Sequence, residues 1–458
     1  MARERLGSRL GFILLSAGCA IGIGNVWKFP WMVGQYGGAI FVLVYIVCLI
    51  VLGIPVMTME FSVGRAAQRS PALMFRPLEP KGSKWHAHGY ACLLGCVLLM
   101  MFYTNVSGWM MQYFIKTATG QFEGLDTEGV NAVFGSMLGD PLWQTVFMGI
   151  AVLVGTVVCM LGVQKGLERV TKVMMVALLL LMTLLAVNSL FLDGASEGLR
   201  FYLVPNVENV KEAGIFNVIV AAMNQAFFTL SLGIGSMAIF GSYIGKDRAL
   251  LGEAVNVAAL DTFVAFTSGL IIFPSCFAYG VNPGAGPALI FQTLPNVFNN
   301  MPLGRLWGSL FFVFMSFAAL STVLAVLELI IACVMDLAGW GRKRACLVVG
   351  VGIFILSLPC VLGFNLLSGF TPFGPGSSVL DLEDFLVSNL LLPIGALIFT
   401  LFCMTRYGWG WKSFAAEANE GKGMKVRPWM RPFMTVVIPI IILVIFVMGL
   451  VTFNYTGG

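Results

Sequence analysis

The chain has 458 residues, of which 58% are hydrophobic and only 11% charged, and its mean hydropathy is +0.90. A soluble chain keeps about a quarter of its residues charged so that its surface stays wet, so a soluble enzyme, a nucleic-acid binder and a secreted disulfide scaffold are all excluded. At about 20 residues per crossing, most of the chain is available to span a bilayer, and the net charge of +5 has to be read by position rather than as the mark of an anionic partner. The ten cysteines, Cys48, Cys92, Cys96, Cys159 and Cys333 among them, sit in apolar stretches without paired loop spacing and read as small buried side chains.

Apolar runs bounded by charge or Gly/Pro clusters fall at about residues 10–34, 39–64, 87–115, 142–163, 168–192 and 215–241, then at about 250–280, 304–338, 344–364, 385–405 and 433–453. The first follows Arg3, Arg5 and Arg9 but carries Asn25, Lys28 and Pro30 and no cleavage-type tail, so it reads as a retained span rather than a signal peptide. The expectation is an all-α polytopic membrane protein of eleven transmembrane helices, with no room for a twelfth before Gly458.

With the N-terminus inside, alternate loops hold Arg3, Arg5 and Arg9; then Arg65, Arg69, Arg76, Lys81 and Lys84; then Lys165, Arg169 and Lys172. Later inner loops hold Lys246 and Arg248; then Arg342, Lys343 and Arg344; then Arg406, Lys412, Lys422, Lys425, Arg427 and Arg431. Only Lys28, Lys116, Arg200, Lys211 and Arg305 lie on or near the other side, so 22 of the 27 basic residues predict a cytoplasmic N-terminus and an outer C-terminus. The outer loops hold Glu123, Asp126, Glu128, Asp140, Asp193, Glu197, Glu208, Glu212, Asp381, Glu383 and Asp384, either enriching cations at the entrance or simply solvating the loops.

Two spans are interrupted in the same way. The first contains Gly18 to Asn25 and the sixth Ser231 to Ser236, sharing the string Ile/Leu-Gly-Ile-Gly that ends at Gly24 and Gly235. Each opens a five-span half, so the expected domains are inverted repeats over 1–192 and 193–405, followed by a cytoplasmic loop and last span over 406–458. Glycine weakens a helix by about 1 kcal/mol per residue, and unwound backbone in hydrocarbon survives only where it lines a cavity or binds something. Half-helix ends suit a carboxylate at free N–H groups and a cation at free carbonyls, so the paired breaks predict a midplane site for an amino acid and cations; close helix packing through glycine is the plainer alternative.

Charge within the spans is sparse: Glu60 lies at the end of the second, Asp261 within the seventh and Glu328 within the eighth, each able to pair with backbone or a hydroxyl. Asp261 is the functional candidate, because the Asn/Thr/Ser-rich breaks offer it a cation to share. In the eighth span, Ser321 and Thr322 either bond back to the preceding turn or supply oxygen ligands. Oxygen donors suit an alkali cation, and no His/Cys cluster exists for zinc or copper.

The segments Arg9-Leu10-Gly11, Gly22-Ile23-Gly24-Asn25-Val26-Trp27-Lys28-Phe29-Pro30, Gly53-Ile54-Pro55 to Glu60, and Gln225-Ala226-Phe227-Phe228-Thr229-Leu230-Ser231 resemble the neurotransmitter:sodium symporter family, and the similarity extends over essentially the whole chain. The resemblance implies sodium-coupled uptake of an amino acid or related amine by alternating access, with spans one and six unwound at the midplane. It assigns one sodium site to Ala20, Asn25, Thr229 and Asp261 with the substrate carboxylate, and a second to Gly18, Ile21, Ala318, Ser321 and Thr322. Tyr103, with backbone near Ala20, Gly22, Ile23 and Gly24, would hold the substrate carboxylate, and Phe228 would cap the site. Leu99, Thr229, Ser231, Ile234, Thr322, Val323 and Val326 would shape the substrate pocket. Lys28 and Asp384 match the outer gate, and Arg3, Ser242, Tyr243 and Asp336 the inner one.

The sequence departs from family members in four places. Asp261 stands where the family has a sodium-site Asn, and Ala265, four residues on, where chloride-dependent members have a hydroxyl. Chloride-independent transport is therefore expected, with proton antiport through Asp261 left open. Leu6 stands where the inner gate usually has Trp, and the large outer loop of animal members is absent between spans three and four, which points to a bacterial inner membrane.

A pocket of Leu99, Ile234, Val323 and Val326 holds no fixed acid or base, so the expected substrate is a hydrophobic, potentially aromatic, L-amino acid. Each net charge moved inward through 100 mV yields about 2.3 kcal/mol for the work. No organic cofactor, catalytic residue or nucleic-acid partner is expected; the partners are substrate, sodium and lipid, with the chain acting as a monomer or weak dimer. A non-transporting amino-acid sensor of the same fold is the alternative.

Overall fold

The computed structural model describes residues 6–280 and 289–452, and the regular elements among them are all helices. Among the described residues, nine continuous helices are long and apolar enough to cross a bilayer: α3 (Ala39–Ala67), α4 (His86–Ala118), α5 (Pro141–Met160), α6 (Val163–Leu190), α9 (Leu250–Ala278), α10 (Gly304–Ala338), α11 (Arg342–Leu362), α12 (Val379–Met404) and α13 (Met430–Val451). A tenth crossing is reached by joining α1 (Arg9–Ala20) and α2 (Gly24–Gln35), which meet at 54°. The expected sixth span is in two shorter pieces, α7 (Ile215–Thr229) and α8 (Ser236–Gly241).

Burial orders these helices. The apolar window of α10 is 83% buried, whereas that of α13 is only 28% buried. The bundle is therefore centred on α10, which packs against α1, α4, α5 and α6, while α13 presents Ile440, Leu443, Val444 and Val447 outward. An apolar outer face of this kind is stable only against lipid.

Two helix starts differ from the apolar pattern. α6 begins about five residues early, with a wider π-type turn over Val163–Glu168. α12 begins six residues early, because Ser378 and Asp381 form a capping box in which the Ser378 N–H and hydroxyl both donate to Asp381, at 2.7 and 2.8 Å. Asp381, Glu383 and Asp384 are thus helical rather than loop residues, and Glu383 is only 3% exposed. Short helices in the connections, including Thr127–Gly139 and Trp411–Ala418, carry too little apolar periodicity to stand out.

On the basic side, Trp411–Ala418 packs on the end of α3. The wholly buried Arg65 ion-pairs with Glu417 at 2.6 Å and donates to the carbonyls of Glu417 and of Arg248, the latter at 2.7 Å. The segment after α12 is tied to the one after α8 by Lys422 N–H to Asp247 O (2.9 Å) and Ala249 N–H to Lys422 O (3.0 Å).

Candidate transport site

The first break opens where α1 ends at Ala20. Ile21 still donates to the Ala17 carbonyl, but the Gly22 N–H turns to Asn25 Oδ1 (3.1 Å) and the Ile23 N–H to Tyr103 Oη (2.9 Å). Glycine is required at the turn: a Cβ on Gly22 would lie 2.1 Å from Tyr103 Oη and 2.6 Å from Thr322 Oγ1. Gly24 likewise lies against the Phe228 ring, and its carbonyl accepts from Gln225 Nε2 at 2.7 Å.

The second break, over residues 230–235, runs through left-handed backbone at Ser231, Gly233 and Gly235. Glu60 on α3 accepts the N–H groups of Gly233 (2.5 Å) and Met237 (3.3 Å), so its charge faces the positive end of α8. Of the two roles open to Glu60, the geometry supports a structural pair to backbone. Close approach to α12 needs glycine on both sides, since a Cβ on Gly395 would sit 2.0 Å from the Gly233 carbonyl.

Beside the breaks lies Asp261, fully buried on α9. Its Oδ1 accepts from Asn25 Nδ2 (2.8 Å) and Thr229 Oγ1 (3.0 Å), and its Oδ2 from Tyr45 Oη (3.3 Å). Its hydrogen-bond partners are neutral donors, and no ion pair to it is found among the described residues. Across α1, the Ser321 hydroxyl lies 3.3 Å from the Ile21 carbonyl and 2.9 Å from that of Ala318, and the Thr322 hydroxyl lies 3.4 Å from the Gly18 carbonyl. The structure therefore brings Asn25, Thr229 and Asp261 together in one cluster, and Gly18, Ile21, Ala318, Ser321 and Thr322 in another. Both clusters are rich in oxygen and buried, as a site for a hard cation requires.

Between the breaks is a narrow cavity of about 20 Å³, room for little more than a water molecule. It is lined by Ala20, Gly22, Gly24, Leu99, Tyr103, Phe228, Thr229, Ser231, Ile234 and Thr322, together with Cys19, Val387 and Leu392. Ile23 instead lines a larger chamber of about 170 Å³ above it, with Trp27, Phe102 and Val106. Val323 and Val326 line neither. Val323 is turned by one helical step from Thr322 toward Gly155 on α5, and Val326 lies one turn further along α10. Val387 and Leu392, absent from the sequence-based set, are apolar residues of an expected span and carry no sign of lining a cavity.

Phe228 separates the cavity from the larger chamber, which lies on the side expected to face outward, with Lys28 Nζ 4.2 Å over its ring. Lys28 also pairs with Asp384 at 3.1 Å, bridging α2 to α12. At the opposite end, Tyr243 Oη donates to Glu328 Oε1 (2.7 Å), which also pairs with Arg342. Asp336 accepts the Ser70 N–H at 2.7 Å, the Ser242 hydroxyl bonds the Ile239 carbonyl at 2.6 Å, and the Leu6 N–H bonds the Tyr243 carbonyl at 3.2 Å. Glu328 and Arg342 extend the expected inner network; Arg3 lies outside the described residues.

The sodium:neurotransmitter symporter family model matches residues 3–125 and 135–457. An uncharacterized sodium-dependent transporter of Bacillus subtilis, YhdH, is 38% identical over 399 residues, 86% of each chain. Another, from Haemophilus influenzae, is 31% identical over 460 residues and 98% of each chain. The crystal structure of MhsT in complex with L-phenylalanine superposes with a TM-score of 0.87 at 37% identity, covering 98% of this chain and all of that one. With the broken helices and the two oxygen-rich clusters in place, the chain is a member of the sodium:neurotransmitter symporter family: a multi-pass plasma-membrane transporter coupled to sodium, and not an enzyme.

Proposed function

We propose that the protein takes up a hydrophobic L-amino acid, aromatic ones included, together with two sodium ions, by alternating access across eleven spans arranged as inverted repeats over 1–192 and 193–405. The observation that carries this reading is Asp261. A carboxylate fully out of water and met by three neutral donors is costly unless a cation joins it, and it borders a cavity with no charged lining residue. Sodium at Asn25, Thr229 and Asp261 would complete that charge, and the substrate carboxylate would meet Tyr103 and the sodium. Leu99, Ile234, Val387 and Leu392 give the side chain a mainly apolar wall, with Ser231 and Thr322 neutral beside them. The L-phenylalanine bound to MhsT supports the aromatic end of this range. A cavity this tight admits an amino acid only when its walls part, which is the movement that alternating access supplies.

Chloride is not required in this reading. Asp261 supplies a fixed negative charge beside the sodium cluster, and Ala265 offers no hydroxyl to hold an anion. Radiolabelled uptake into proteoliposomes, screened over all twenty amino acids with and without an inward sodium gradient, tests both points. Sodium-driven uptake of apolar amino acids, unchanged when gluconate replaces chloride, is the expected outcome. Absence of sodium dependence for every substrate overturns the reading, and sodium-dependent binding without uptake turns it into a sensor.

A further inference from the structure

Another buried acid stands apart from Asp261, Glu60 and Glu328. Glu383, on the first turns of α12, is 3% exposed, and its carboxyl meets the Cys360 thiol and no other hydrogen-bond partner among the described residues. Its neighbours are Cys360 of α11 and, beside that thiol, Asn105 of α4, whose Nδ2 lies 3.7 Å from the Cys360 sulfur and whose own Oδ1 is also unpartnered. The charged groups on the same turns are already engaged: Asp381 takes the Ser378 N–H and hydroxyl, and Asp384 takes Lys28 and the Ser388 hydroxyl. No cation among the described residues pairs with Glu383.

This setting differs from that of Asp261. There, carbonyls and hydroxyls surround the acid and can share an alkali ion with it. Around Glu383 the neighbours are a thiol and one amide, too few oxygens to coordinate a metal cation. An ionised carboxylate buried beside only a thiol, a weak donor, is strongly disfavoured, and a neutral carboxylic acid is not. Glu383 immediately precedes Asp384, so the turn that buries it is the turn that closes the Lys28 bridge over the outer chamber.

We propose that Glu383 is a proton-binding site of the outer gate: it holds a proton while the Lys28–Asp384 bridge is closed, and releases it to outside water when α12 moves and the gate opens. Taking up a proton from the outside then favours the closed gate, because the closed arrangement binds it more tightly. External acid should close the outer chamber and external alkali should open it. The inference rests on the transport reading only in taking Lys28 and Asp384 as a gate, and its test needs no uptake.

Val106 lines the outer chamber, so Val106→Cys adds a reporter thiol there, and the labelling of the chain without it, through native thiols such as Cys19 of the cavity below, is subtracted. The reporter's rate of modification by a membrane-impermeant thiosulfonate is measured on the full chain in sealed vesicles, alone and combined with Glu383→Gln or Glu383→Leu, which hold the site neutral. Comparison at each pH cancels the intrinsic pH dependence of thiol reactivity. The Glu383 protein should label about tenfold faster than either neutral variant near pH 8.5, with the rates converging near pH 5.5, as one proton linked to one gate requires. Superimposable pH profiles for Glu383 and whichever neutral variant folds would overturn the proposal. Loss of sodium-driven uptake with the labelling difference intact would count against the transport reading alone.

Discussion

At the scale of single residues, the site turns on atoms that cannot be added or removed without consequence. Replacing Gly22 by Ala puts a methyl group against Tyr103 and Thr322; uptake is expected to fall by at least about tenfold, equivalent to ~1.4 kcal/mol or more, with normal membrane insertion by surface labelling. Asp261→Asn removes the charge but keeps much of the shape. The sodium concentration for half-maximal uptake should rise by about tenfold or more, a loss of ~1.4 kcal/mol, and an unchanged sodium curve would remove Asp261 from the sodium site. Gly22, Asp261, Ser321 and Thr322 were legible in the sequence because glycine pairs, a carboxylate and adjacent hydroxyls are all out of place in a hydrocarbon-facing helix. Val387 and Leu392 were not, since an apolar side chain facing a cavity has the same composition as one facing lipid.

Among the elements, apolar run length placed each long helix to within a few residues, because the bilayer sets a minimum length and charge marks its ends. The exceptions have local causes: a capping box drew α12 outward over Asp381–Asp384, and a π-type turn over Val163–Glu168 extended α6. Packing between elements was not legible. Arg65 belongs by sequence to a solvated basic loop, yet it is wholly buried against Glu417, some 350 residues away in the chain. Arg65→Ala leaves Glu417 with only the exposed Lys246 at 3.6 Å and should cost about 3–5 kcal/mol, as breaking a buried pair does. A lower unfolding temperature in detergent would register it, and a melting curve equal to that of the parent chain would show that water reaches the pair.

For the whole molecule, the distribution of basic residues predicts the orientation in the membrane. A phosphatase fused to the C-terminus, which folds only in an oxidising compartment, should be active, and the same reporter in the segment after Met404 should be silent. Activity in the reverse pattern would invert the topology. The outer chamber and the inner network then lie at opposite ends of the bundle, with the narrow cavity between them. Both ends are bridged in this structure, at Lys28–Asp384 and at Tyr243–Glu328–Arg342, so transport requires each bridge to break in turn.

The amino-acid sequence by itself determined that this is a helical membrane protein, where its helices run, where two of them are interrupted and which buried polar groups stand near the interruptions. These follow from composition and spacing, because hydrocarbon penalises every unpaired polar atom wherever it lies in the fold. Only the tertiary structure decided which side of each helix meets the cavity, turning Val323 away and Val387 in, and which partners each buried acid has. Rotation about a helix axis and contact across hundreds of residues are set by packing, and a one-dimensional pattern of apolar residues is the same for a lining wall and a lipid face.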